Sequence, residues 1–209
     1  MLTNEQRETL TEIINAGVSK AGAVLSELVG CRVRMQVPMV GVTNFTDLHD
    51  CLGIDNDMHL VSVCQQFHGG MDGYALLLLS VENGNALTLR LTGEEADPLA
   101  METERAETLE EVGNILTNSV LGTISNAVGH RFDYQVPVYR EGSLPEIIAF
   151  SSCGAGCSVS DSQTLYARAH FDFDEERVIG SILILLTTGA FRTLLELVDN
   201  LRAKAKSAR

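Results

Sequence analysis

Gln36-Val37-Pro38 recurs as Gln135-Val136-Pro137 at an offset of 99 residues. Each copy ends a stretch, Cys31 to Pro38 or His130 to Pro137, in which apolar and polar residues alternate. Alternation closed by proline predicts a half-buried strand. Upstream of each runs a long pattern of three-to-four spacing. Leu10, Ile13, Ile14, Gly17, Val18, Ala21, Val24, Leu25 and Leu28 carry the first, and Leu109, Val112, Ile115, Leu116, Val120, Ile124, Ala127 and Val128 the second. Such stripes are the apolar faces of amphipathic helices. A chain that repeats itself must stack the copies to bury faces that neither covers alone, so the repeat constrains the fold more than any single motif.

The two halves continue in step. The stretches 57–67 and 163–173 read as strands, each followed by a polar turn, His68 to Asp72 or Asp174 to Arg177. Two nearly continuous apolar strands come next, Gly73 to Ser80 and Gly180 to Thr187. An amphipathic helix over Phe191 to Ala203 closes the second half, and the basic tail from Lys204 to Arg209 is expected to fray. In the first half Asn83-Gly84 is a hairpin signal, but the match to the second half favours a short helix over Asn85 to Leu91. Gly93 to Ala100 is the natural linker. The expectation is an α+β fold, internally duplicated and pseudo-twofold: a mainly antiparallel sheet flanked by two long helices and shorter ones. It would form one domain over 1–209, with repeats at 1–95 and 101–203.

Charge and cysteine content narrow the function. Lysine and arginine total 15 against 28 acids, a net charge of −13, which repels phosphate backbones and anionic lipid and argues against nucleic-acid binding. The longest apolar runs, Tyr74 to Leu79 and Ile182 to Leu186, fall far short of the roughly 18–20 residues that span a bilayer. The first residues carry no secretory pattern, and five scattered cysteines suit a reducing cytoplasm. Cys153 and Cys157 flank a Gly-rich loop with no second ligand pair nearby, and the histidines have no metal spacing.

The polar faces of the two long helices also match. Glu8, Glu12 and Asn15 fall at i, i+4 and i+7, with Ser19 extending the line; Glu107, Glu111 and Asn114 repeat the spacing, with Asn118 extending it. After each asparagine, 22 residues precede the proline, giving E-x3-E-x2-N-x22-P twice. An acidic stripe alone is usually a solvated face. Asparagine is a poor mid-helix residue, and solvation would be served better by alanine or lysine.

Two helices bearing E-x2-N, each followed by the spaced proline, resemble the CheC/CheX/FliY family of chemotaxis phosphatases. The doubled motif is similar to the two-motif members. The resemblance covers nearly the whole chain and implies the same α+β architecture. It also implies removal of phosphate from the phosphoaspartate of a CheY-like response regulator. Carried over residue by residue, it points to Glu12 with Asn15 and to Glu111 with Asn114 as catalytic pairs. Glu8 and Glu107 stand where the family usually has Asp or Ser. With Ser19 and Asn118 they are weaker candidates for partner contact. The second copy, Glu111-Val-Gly-Asn114, is closer to the family's wording and would be the working site if only one works.

The residue types suit the reaction. Phosphoryl transfer asks mainly for positioning and charge stabilisation, and what a receiver domain lacks is a water held in line with the breaking bond. A neutral carboxamide can accept from that water without repelling it, while a glutamate one turn away can pair with the receiver's lysine. Mg²⁺ would reside in the partner, with no cofactor or metal on this chain. A binding role remains as the alternative, an adaptor for a receiver domain or for a CheD-like deamidase. A duplicated chain has less need to dimerise, so a cytoplasmic monomer is expected.

Overall fold

The computed structural model describes residues 2–38, 40–93, 101–152, 162–173 and 177–207. The Gly93–Ala100 linker beyond its first residue, the Cys153–Cys157 loop and the turn at 174–176 lie outside the described residues. The first half comprises α1 (Asn4–Val29), β1 (Arg34–Gln36), β2 (Val40–Thr43), α2 (Leu48–Leu52), β3 (Leu60–His68), β4 (Gly73–Ser80) and α3 (Val81–Thr92). The second repeats that order as α4 (Met101–Val128), β5 (Asp133–Tyr134), β6 (Val138–Gly142), α5 (Leu144–Ser152), β7 (Ser162–Asp172), β8 (Arg177–Thr187) and α6 (Thr188–Ser207).

Local chemistry fixes the ends of these elements. Thr3 and Gln6 cap α1 reciprocally, Thr3 Oγ1 accepting from Gln6 N and Gln6 Oε1 from Thr3 N. Gly30, at φ 68°, ends the helix in the left-handed region open to glycine. Asn83-Gly84 does not turn a hairpin. Ser80 caps α3 by accepting from Asn83 N, and a Cβ on Gly84 would lie 2.8 Å from the Val61 side chain. The glycine lets the helix approach the sheet. The basic tail, expected to fray, is helical as far as Ser207, because α6 packs down to Val198 before its last, exposed turns.

One sheet of eight strands holds the halves together, in the order β1-β7-β8-β4-β3-β5, with β2 also on β7 and β6 also on β3. Every pairing among the described strands is antiparallel. β4 and β8 meet at the centre, Leu77 opposite Ile182. Each half lends its short strands to the other: β1 and β2 pair with β7, β5 and β6 with β3. The halves are therefore interlocked rather than juxtaposed.

Strand alternation sorts the side chains into two cores. Ala75, Leu77 and Leu79 face the larger one, beneath α1, α4, α3 and α6. Tyr74, Leu76 and Leu78 face the smaller one, closed by Leu48 and Leu52 of α2 and Leu144, Ile147 and Ile148 of α5. α1 and α4 cross closely at Gly17, where a Cβ would stand 2.7 Å from the Val120 Cα. The predicted strands over 31–38 and 130–137 are shorter than their alternation, Arg34–Gln36 and Asp133–Tyr134. The chain leaves the ladder at each Gln-Val-Pro, and it does so differently in the two halves.

Candidate functional site

Both acidic stripes exist as lines on helices. Glu8, Glu12 and Ser19 are exposed on α1 with Asn15 half-buried between them. On α4, Glu107 and Glu111 are exposed while Asn114 and Asn118 are half-buried. Asn15 lies two residues from Gly17, about 200° around the helix, so its stripe looks away from α4. The two stripes are thus separate faces, not halves of one site. Neither Glu12 nor Glu111 pairs with another described side chain, which leaves both carboxylates available to a partner.

The asparagines differ. Asn15 brackets the backbone of Val37: its Nδ2 donates to Val37 O at 2.7 Å, and its Oδ1 accepts from Val37 N at 2.8 Å. Both ends of the amide are used, and Val37 is drawn into the larger core at 2% exposure. The 22-residue spacing has a structural task here: the asparagine pins the residue just before Pro38. Asn114 makes no such bracket. Its Oδ1 accepts from Asn118 Nδ2 at 2.6 Å, and its own Nδ2 has no described partner. The matching valine, Val136, is 81% exposed.

The second half holds its strand end by other means. Gln65, buried on β3, donates from Nε2 to Gln135 O at 3.1 Å. Its Oε1 accepts from Thr117 Oγ1, whose single proton is shared with Gly113 O, 2.7 Å away. Glu110 adds a further tie by accepting from Tyr139 N at 3.0 Å. Sequence reasoning passed over Gln65, Thr117 and Glu110. The available signal was a pair of glutamines, Gln65-Gln66, inside a strand otherwise nearly all apolar.

Near the start of α4 lies a charged knot. Arg105, 7% exposed, donates through Nε to Tyr139 Oη at 2.8 Å, through Nη1 to Asn85 Oδ1 at 2.7 Å, and through Nη2 to Glu141. Tyr139 also donates to Glu141, and His59 Nε2 lies 3.2 Å from the same carboxylate. Burial alone would raise the Glu141 pKa. The hydrogen bonds from Tyr139, Arg105 and His59 outweigh it and hold the group below its ordinary value. Burial and the neighbouring carboxylate push the Tyr139 phenol up. The matching place on α1 carries Gln6, whose Nε2 donates to Asp199 at 3.0 Å. Among the described residues no group of three or more His, Cys, Asp or Glu side chains is arranged to hold a metal, and no helix is long and apolar enough to cross a membrane.

No family model matches the chain. It is 23% identical over 128 residues to the CheY-P phosphatase CheC of Bacillus subtilis, covering 60% of this chain and 61% of that protein. It is 24% identical over 149 residues to the putative CheY-P phosphatase CheC1 of Halobacterium salinarum, covering 70% of this chain and 74% of that one. The match thus spans less than two thirds of the first relative's length. Among solved structures, Thermotoga maritima FliY superposes at a TM-score of 0.73 and 15% identity, covering 96% of this chain and 99% of that one. The CheX–CheY–BeF3–Mg complex from Borrelia burgdorferi matches at 0.53 and 19%, over 84% and 99%. The FliM middle domain of H. pylori matches at 0.58 and 14%, over 94% and 99%. The solved structures show the fold, an α+β arrangement that they share with this chain. In sequence the chain is similar to the CheC proteins, and in fold to FliY, CheX and FliM.

Proposed function

We propose that the chain is a cytoplasmic phosphatase that hydrolyses the phosphoaspartate of a CheY-like response regulator, working through Glu111 and Asn114 on α4. One observation carries the choice of face. Asn114 has an amide nitrogen with no partner among the described residues on an accessible helix line, whereas both ends of the Asn15 amide are bound to and oriented by the Val37 backbone. In the reaction a water oxygen attacks phosphorus, the bond from phosphorus to the acyl oxygen breaks, and the aspartate leaves as carboxylate. One of the water's protons stays on the new P–OH group and the other passes to a phosphate oxygen or to solvent. Asn114 Oδ1 retains a second lone pair to accept from that water, and Nδ2 donates to a phosphoryl oxygen. Glu111 is free to pair with the receiver's lysine and set the register, with Glu107 and Asn118 beside it as weaker contacts. Mg²⁺ enters with the partner and none is needed on this chain.

Glu12 and Asn15, with Glu8 and Ser19, then form a second docking face whose asparagine supports the fold. The same reading takes 1–95 and 101–203 as repeats of one monomeric domain. An adaptor role, for a receiver or a CheD-like deamidase, is the second reading; the bracketed Asn15 favours it for the α1 face. The test is phosphate release from phosphorylated CheY-like receivers. The native chain accelerates it, Asn114→Ala does not, and no acceleration with any receiver leaves only the adaptor.

A further inference from the structure

The sequence Gln-Val-Pro is identical in the two halves and follows an asparagine at identical spacing, yet in only one half does the asparagine seize the valine. Registers locate the cause. Tyr134 pairs with Phe67 on β3 as Met35 pairs with Phe171 on β7. Two residues back along those strands stand Gln65 and Ala169. On the long helices, three residues past each asparagine stand Thr117 and Val18. Ala169 and Val18 are fully buried and apolar, while Gln65 and Thr117 are fully buried and polar. The pair differs between the halves as a unit.

We propose that Gln65 and Thr117 are positioning residues for the α4 site: they latch Gln135 so that Asn114 stays free of Val136. The amide of Gln65 has only one useful orientation. The Gln135 carbonyl can only accept, so Nε2 faces it and Oε1 faces the Thr117 hydroxyl. Held there, Gln135 donates its own N–H to Gln66 O at 2.9 Å, and β6 starts directly after Pro137, with Val138 opposite Cys64. In the first half Ala169 and Val18 stand in those places, and neither has a side-chain donor to hold the Gln36 carbonyl. Val37 turns inward and its backbone takes both groups of Asn15. The α4 site is open because a buried glutamine and threonine do the work that Asn15 does on α1. Without the latch, Val136 can exchange exposure for core burial and occupy Asn114 in the same way.

The kinetic side of this rests on the phosphatase reading, and the conformational side does not. Thr117→Val keeps shape and removes the hydroxyl, Thr117→Ser keeps the hydroxyl, and Gln65→Met removes both ends of the link. With a phosphorylated receiver, Thr117→Val and Gln65→Met should lower kcat about tenfold with KM within about twofold, as expected when only a minor fraction retains a free Asn114, and Thr117→Ser should retain parental kcat. Independently of any receiver, hydrogen exchange at the Val136 amide should slow by about tenfold or more in Thr117→Val as Asn114 captures it. It should return to the native rate in Thr117→Val with Asn114→Ala. Unchanged Val136 exchange in Thr117→Val overturns the proposal, whether or not kcat falls. If the native chain dephosphorylates no receiver, the phosphatase reading fails and Val136 exchange still decides the latch.

Discussion

Val37 and Val136 occupy the same place in two copies of one sentence, one at 2% and the other at 81% exposure. The contrast runs through the neighbouring chemistry. Around Val37 the motif asparagine is a structural residue, its amide closing a backbone bracket that ties α1 to the end of β1. Around Val136 that duty falls to Gln65 and Thr117, and among the described residues the asparagine is left with Asn118 as its side-chain partner. A recurring motif need not be a recurring function, because the same side chain can be consumed by the fold in one copy and released by it in the other. Duplication makes this possible. With each half lending β-strands to the other's sheet, either copy can take over a stabilising role.

The sharpest way to break the comparison is to remove each asparagine in turn. Asn114→Ala should cost about a hundredfold in receiver dephosphorylation, the scale of losing one well-placed group in the transition state, with melting temperature little changed. Asn15→Ala should leave the rate near parental. Equal rate losses in the two variants, measured by phosphate release, would make the faces functionally equivalent and end the distinction.

The start of each long helix offers a second contrast. Arg105→Ala strips Tyr139, Asn85 and Glu141 of a shared donor at a 7% exposed position. Breaking a mostly buried charged cluster costs about 3 kcal/mol. Gln6→Ala at the matching site of α1 removes a hydrogen bond to Asp199 and should cost about 1–1.5 kcal/mol. Denaturant midpoints of the two variants order them directly.

Asn15→Ala also has a stability arm. Losing the bracket leaves the Val37 N–H and C=O without their partners beside a full core, so unfolding should be easier by about 1–2 kcal/mol. Asn114→Ala should stay within about 0.5 kcal/mol of native, as surface substitutions do. Urea denaturation with a common slope separates the two.

The fold was legible where periodicity carries it. Two helical stripes, two near-continuous apolar strands and the repeated order predict a pseudo-symmetric antiparallel sheet, because strand and helix periods act through each residue's nearest neighbours. The acidic lines on α1 and α4 were legible for the same reason. The exchange of strands between halves leaves no periodic trace, since pairing partners are chosen across the whole chain. Nor does the fate of the asparagines show, because it is settled by Gln65 and Ala169 on strands far along the sequence. Asn83-Gly84 misleads for a related reason. The dipeptide favours a turn in isolation, but Val61 needs the space that only glycine leaves inside α3.

The smallest expected effect concerns acid. Glu141 is held below its ordinary pKa: hydrogen bonds from Tyr139, Arg105 and His59 overcome the opposing pull of burial. A carboxylate whose folded pKa is depressed stabilises the protein above its unfolded value, near 4.3, and that contribution is lost as pH falls through the lower folded value. Glu141→Gln should therefore be less stable than native at pH 7, and the gap should close as pH drops below about 4. At the α1 end neutral Gln6 stands in place of Arg105, and the ion pairs of Arg202 with Glu5 and Asp199 lie more exposed to solvent, so Gln6→Ala should show a gap that changes less over the same range. Thermal melts of the three proteins at stepped pH test this. A Glu141→Gln gap that stays constant down to acid would mean the knot holds its shape without the charge, and the two helix starts would then differ in packing alone.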